Sequence, residues 1–189
     1  MSRPPRAQIA SGLYHITTRG NRRQRIFEDR RDGEVFLLML TEIVVRHRWQ
    51  CHSYCLMPNH YHLLVETPRP DIACGMHRLN SRFAHWFNAR HNTTGHLFER
   101  RYRSVLVETD GHLLELVRYL ALNPVRASLC DRAELWEWSS YGALVRTRGQ
   151  GALAMTKRIG EAFSTNPERA LERLRSFVDE GRPKHSFAG

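Results

Sequence analysis

Trp49-Gln50-Cys51-His52-Ser53-Tyr54-Cys55-Leu56-Met57-Pro58-Asn59-His60-Tyr61-His62-Leu63-Leu64-Val65-Glu66 is the stretch on which the fold turns. Trp49 to Met57 is rich in aromatic and apolar residues and reads as a strand. Pro58-Asn59 interrupts it, and His60 to Glu66 reads as the next strand, so the two form a hairpin. Outward on the N-terminal side, Leu13 to Thr18 is a first strand and Arg19-Gly20-Asn21 a turn. Asp32 is placed to cap a helix carrying Phe36, Met39, Leu40, Ile43 and Val44 at helical spacing. On the C-terminal side, Ile72, Met76, Leu79, Phe83 and Trp86 line a long helix. Ser104 to Glu108 is a short strand, and His112 to Asn123 a helix that Pro124 stops. The order β-α-β-β-α-β-α predicts an α+β, ferredoxin-like (RRM-like) antiparallel sheet with one further helix.

The last third differs in character. Trp136-Glu137-Trp138-Ser139-Ser140-Tyr141 is aromatic and polar, and residues 146–158 read as a basic linker. Asn166-Pro167 opens a final helix carrying Leu171, Leu174, Phe177 and Val178. The expected organisation is therefore a domain over residues 1–130 and a C-terminal helical appendage over 131–189.

Charge narrows the partners. The 189 residues carry 29 Lys+Arg against 19 Asp+Glu, a net charge of +10, and the isoelectric point is about 10.2. Almost all of the positive charge is arginine, which suits bidentate contacts with phosphates and bases. The longest purely apolar run, Val35 to Leu40, is too short to span a bilayer. The N-terminus lacks the apolar stretch of a signal peptide. A cytoplasmic, nucleoid-associated protein is expected, with no membrane partner. Its four cysteines, Cys51, Cys55, Cys74 and Cys130, are then reduced packing residues.

Two features carry possible chemistry. On a strand, His60 and His62 share a face, and two neutral imidazoles side by side suit a divalent metal. Two half-exposed histidines on a hairpin would give the same pattern. On a helical wheel, Leu113, Leu114, Val117, Leu120 and Ala121 form the buried side of the helix before Pro124. Tyr119 lies opposite, flanked by His112, Glu115 and Asn123, and Asn123 is one turn away. Tyrosine can act as a covalent catalyst, although a surface tyrosine before a helix end also fits. Arginines interleaved with aromatics add a nucleic-acid signature. The DNA-binding candidates are Arg19, Asn21 and Arg22, then Arg101, Tyr102 and Arg103, then Arg146, Arg148, Lys157 and Arg158.

In combination these residues resemble a known family. Leu56 to Val65, with its Pro58-Asn59-His60-Tyr61-His62, resembles the HUH motif of single-tyrosine transposases. Arg118-Tyr119-Leu120-Ala121-Leu122-Asn123-Pro124-Val125-Arg126-Ala127 resembles their nucleophile helix. More narrowly, Thr18-Arg19-Gly20-Asn21, Gly95-His96-Leu97-Phe98, Arg101-Tyr102-Arg103-Ser104 and Trp138-Ser139-Ser140-Tyr141 are similar to REP-associated tyrosine transposases. The resemblance implies an HUH domain that cleaves and joins single-stranded DNA beside hairpins. His60 and His62 would bind a divalent metal, Mg or Mn, and Tyr119 would be the nucleophile. Asn123 stands where some relatives place a metal-binding glutamine, and Arg100 where the subgroup usually has glycine. The implied partner is single-stranded DNA with hairpins, and both a monomer and a homodimer stay open. Two other readings remain: an HUH nickase of replication or conjugation, and a non-catalytic nucleic-acid binder on an RRM-like sheet.

Overall fold

A computed structural model describes residues 11–147 and 156–183. Four strands, β1 (Gly12–Arg19), β2 (Gln50–Met57), β3 (His60–Thr67) and β4 (Arg103–Leu106), form one antiparallel sheet in the order β2-β3-β1-β4. This is the ferredoxin-like order, with the β2–β3 hairpin where the Pro58-Asn59 break predicts it. The helices are α1 (Arg30–His47), α2 (Ile72–His91), α3 (Asp110–Arg126), α4 (Ser140–Arg146), α5 (Lys157–Phe163) and α6 (Pro167–Glu180). No described helix is long and apolar enough to cross a membrane.

The chain divides into two compact units. The first contains β1, α1, α2, β4, residues 58–60 and the end of β3 from Val65. Its core joins Phe27, Phe36 and Phe83, whose rings meet at centroid distances of 5.1–5.5 Å. Trp86 stacks on Phe83 from the exposed side. Gly75 of α2 is required by packing, because a Cβ there would collide with the Trp49 ring.

The cap of α1 differs from expectation. Asp29 is the N-cap, and its carboxylate accepts the backbone N–H of Arg31 (2.9 Å) and Asp32 (3.3 Å). Asp32 is the reciprocal member of a capping box and accepts the N–H of Glu28 at 2.7 Å. It is fully buried, and its charge is met by Arg90 Nη1 at 2.7 Å and His91 Nε2 at 3.0 Å. One carboxylate thus joins the start of α1 to the end of α2. Asp32→Ala leaves two backbone donors and part of the Arg90 charge without a partner. We expect a loss of about 3 kcal/mol in urea denaturation. A loss below 0.5 kcal/mol would show that water replaces the carboxylate at no cost.

The second unit contains Cys51–Met57 of β2, Tyr61–Leu64 of β3 and α3 to α6. Pro124 does not stop α3, which continues to Arg126. Proline removes a single N–H from the ladder, whereas burial of Pro124 and Val125 favours one more turn. The end is closed by the N–H groups of Ala127, Ser128 and Leu129, bonded to Asn123, Val125 and Pro124, with Ser128 left-handed at φ 55°.

The aromatic segment after α3 pairs along the outer edge of β2. Cys55 and Ser139 form an antiparallel bridge, and Leu56 N–H donates to the Trp138 carbonyl at 2.9 Å. Trp136 Nε1 donates to the Leu56 carbonyl at 2.9 Å. A sheet edge that would otherwise be open is covered in this way. Of the cysteines, Cys51 and Cys55 are buried in β2, Cys130 is partly buried and Cys74 is exposed, so packing does not account for Cys74.

Candidate active site

β3 alternates buried apolar residues with its two histidines. Tyr61, Leu63 and Val65 are buried on one face, and His60 and His62 leave the strand on the other. His60 is held by its neighbour in sequence: its Nδ1 lies 2.7 Å from Asn59 Oδ1. Asn59 is in turn anchored, with Nδ2 donating to the Arg23 carbonyl at 3.1 Å. A ring whose Nδ1–H is engaged presents the Nε2 lone pair. Burial, aided by the Arg19 charge, lowers the His60 pKa to about 4, so the imidazole is neutral at physiological pH, the form a metal requires.

His62 is buried and meets α3 within the second unit. The Asn123 carboxamide lies 3.4 Å from His62 Nε2, and the Tyr119 ring stands edge-on to the imidazole at 5.6 Å and 89°. Tyr119 is 36% exposed. Arg126 places its guanidinium 5.6 Å from the Tyr119 ring. A small cleft lined by His112, Glu115, Arg118, Tyr119 and Arg126 opens here, matching the side of α3 that the helical wheel assigns. Glu115 is occupied by Arg118 at 2.7 Å, and Arg118 stacks over Phe177 of α6 at 4.4 Å.

Among the described residues no cluster of three or more His, Cys, Asp or Glu side chains exists. The donor set is instead the two imidazoles of β3, with a carboxamide beside that of His62. Amide oxygen and nitrogen exchange places by a flip, so Asn123 can offer Oδ1 as well as Nδ2 to a group near His62. Imidazole nitrogens and a carboxamide oxygen are ligand types that fit a divalent ion. Asn59 and Arg126 are the site residues that sequence reasoning missed. Their signals were adjacency to the first histidine and a spacing of seven from the tyrosine on one helix face.

The basic candidates separate by environment. Arg19, at the end of β1, and Arg22 are exposed, and Asn21 is half-buried in a short turn. Arg22 and Arg23 both have positive φ, 52° and 60°, a conformation costing non-glycine residues roughly 1 kcal/mol each. Arg101 and Arg103 are exposed, while Tyr102 is buried. Arg146 donates to the carbonyls of Glu134 and Glu137, and Arg158 pairs with Asp110 at 2.8 Å. Lys157 lies 3.6 Å from Glu161. Arg148 is outside the described residues.

Among solved structures, the chain is similar to a REP-associated tyrosine transposase bound to a REP hairpin. The identity is 17%, 84% of this chain and 96% of that chain are covered, and the TM-score is 0.66. A Deinococcus radiodurans R1 protein assigned as a transposase aligns over 63% of this chain and 95% of its own, at 17% identity and a TM-score of 0.44. No curated protein matches the chain. The first likeness shows the fold. The family model for IS200-like transposases matches residues 8–123, a span that holds the whole sheet, His60, His62, Tyr119 and Asn123, and the chain belongs to that family.

Proposed function

We propose that the chain is a metal-dependent DNA transesterase that cleaves and rejoins single-stranded DNA beside hairpins through a 5′-phosphotyrosine at Tyr119. The observation that carries the reading is the convergence of one turn of α3 on one imidazole of β3: Tyr119 edge-on and Asn123 at 3.4 Å, both on His62. The structure that shares the fold is of a transposase bound to a REP hairpin, which supports palindromic repeats as the class of target.

His60 and His62 would hold a divalent ion, Mg or Mn, with Asn123 as a third contact. When bound, the ion supplies charge neutralisation at the scissile phosphate. The Tyr119 oxygen forms a bond to phosphorus while the bond to the 3′ oxygen breaks. The phenolic proton leaves the tyrosine and a proton reaches the departing 3′-hydroxyl. One phosphodiester replaces another, so the step needs no nucleoside triphosphate and runs backwards when a 3′-hydroxyl attacks. Asn59 fixes the His60 ring. The chemistry belongs to residues 1–130 in this reading, and 131–189 form an appendage.

The test is a covalent adduct on a labelled hairpin oligonucleotide, stable to denaturation and mapped by peptide mass to Tyr119. No adduct with any single-stranded substrate in the presence of Mg or Mn would refute the reading.

Arg19, Asn21, Arg22, Arg101 and Arg103 are the phosphate and base contacts proposed for the domain, whereas the buried Tyr102 packs between the two arginines. Arg22→Gln should lower the slope of log affinity against log salt by about 1 and leave stability within about 0.5 kcal/mol. An unchanged slope in filter binding removes Arg22 from the interface.

A further inference from the structure

α3 runs past Pro124 to Arg126, and that continuation sets the direction of the Arg126 side chain. Seven residues separate Arg126 from Tyr119, which returns a helical residue to within about 20° of the same face. The rise between them is about 10 Å. Helical side chains lean toward the N-terminus of their helix, so a long one at 126 leans back toward 119. The guanidinium accordingly stands over the Tyr119 ring, 5.6 Å from its centroid.

The two arginines beside Tyr119 differ in what holds them. Both line a cleft of about 360 Å³ together with His112, Glu115 and Tyr119. Glu115 is the acid among the described residues of that lining, and it accepts Arg118 Nη2 at 2.7 Å. Arg118 is further enclosed by the Phe177 ring, 4.4 Å from its guanidinium. Gly181 closes on it too, since an added Cβ there would lie 2.7 Å from Arg118 Cδ. Arg118 thus serves the packing of α6 on α3. Arg126 is exposed, and the described residues of the cleft hold no second carboxylate for it. An exposed arginine stem has the rotatable bonds to carry its fork from the ring onto a phosphate joined to Tyr119.

We infer that Arg126 is a catalytic residue of strand transfer: its guanidinium donates hydrogen bonds to the non-bridging oxygens of the phosphate that Tyr119 attacks. This rests on the reading of Tyr119 as the nucleophile. While the bond from Tyr119 Oη to phosphorus forms and the bond to the 3′ oxygen breaks, phosphorus is five-coordinate and negative charge builds on those oxygens. A planar fork of donors meets two of them at once and stays protonated throughout, so no proton passes through it. The contact is stronger to the five-coordinate state than to the bound strand. Its loss therefore lowers rate rather than affinity.

The test is single-turnover formation of the Tyr119 adduct on a saturating labelled hairpin oligonucleotide with Mg or Mn. Arg126→Gln should slow it at least about 10²-fold. Hairpin affinity should stay within about two-fold of wild type, since the contacts proposed to hold the hairpin lie on other elements. Arg126→Lys keeps a charge without the fork and should recover at least about ten-fold of the loss. Rejoining, started by adding a strand with a free 3′-hydroxyl to isolated adduct, should slow by the same factor, because the two directions share one transition state. Ring packing alone would leave the Gln and Lys variants equally impaired. That result, or an Arg126→Gln rate within about three-fold of wild type, would overturn the inference. If Arg126→Gln does not fold, Arg126→Met, which keeps an unbranched apolar stem, is held to the same limits. Adduct in wild type with Arg126→Gln unimpaired overturns the inference alone. Absence of adduct in wild type refutes Tyr119 as the nucleophile and the inference with it.

Discussion

Tyr119→Phe should abolish the covalent protein–DNA adduct while leaving the unfolding transition in place. The substitution removes one oxygen and keeps the ring, so the edge-on contact with His62 and the guanidinium of Arg126 over the ring persist. The position is 36% exposed, and such surface changes usually stay within about 0.5 kcal/mol. Without the oxygen no bond to phosphorus can form. Loss of a covalent nucleophile removes at least about 10³-fold of rate, which takes adduct yield below detection. Hairpin binding in the same preparation should match wild type, because the proposed phosphate contacts lie on other elements. Undiminished adduct in Tyr119→Phe would move the nucleophile elsewhere.

His60→Ala and His62→Ala should each stop cleavage yet spare DNA binding. Both imidazoles leave one face of β3, and His60 is held neutral by burial and Arg19, so each removes one of two nitrogen donors. We expect a loss of at least about 10²-fold in cleavage for either variant, with hairpin affinity within about three-fold of wild type. EDTA should reproduce the loss in wild type, and added Mg or Mn should reverse it. Asn59→Ala should act more mildly, raising the metal concentration needed for half-maximal cleavage about ten-fold. It releases the ring at Nδ1 but deletes no ligand. Normal cleavage by either histidine variant in EDTA would end the metal assignment.

Much of this molecule was legible in its residues. The element order followed from periodicity and breakers: Pro58-Asn59 between two strands, the 3–4 spacing from Ile72 to Phe83, and Asn166-Pro167 before the last helix. The polar side of α3 was equally readable, because a wheel depends only on the pitch of a helix. Capping was partly readable. Asp32 was the visible acid, but Asp29 holds the cap and Asp32 reaches back to it, since both members of a capping box carry similar residue types. Pro124 shows a local rule yielding to packing, as one missing hydrogen bond weighs less than the burial of Pro124 and Val125.

By itself the sequence determined which residues share a strand or helix face, because those relations are set by backbone repeats of two and 3.6 residues. It determined in this way that His60 pairs with His62 and Tyr119 with Asn123. Only the tertiary structure decided that His62 and Asn123, 61 residues apart, face each other, and that Arg90 and His91 neutralise a buried Asp32. It alone decided that Trp136 and Ser139 cover the edge of β2, and that the loop after α2 walls a cleft against that helix. The physical reason is the same in each case. Contacts between distant segments depend on strand order and on the competition of side chains for buried space, and neither lies within any local window of the chain.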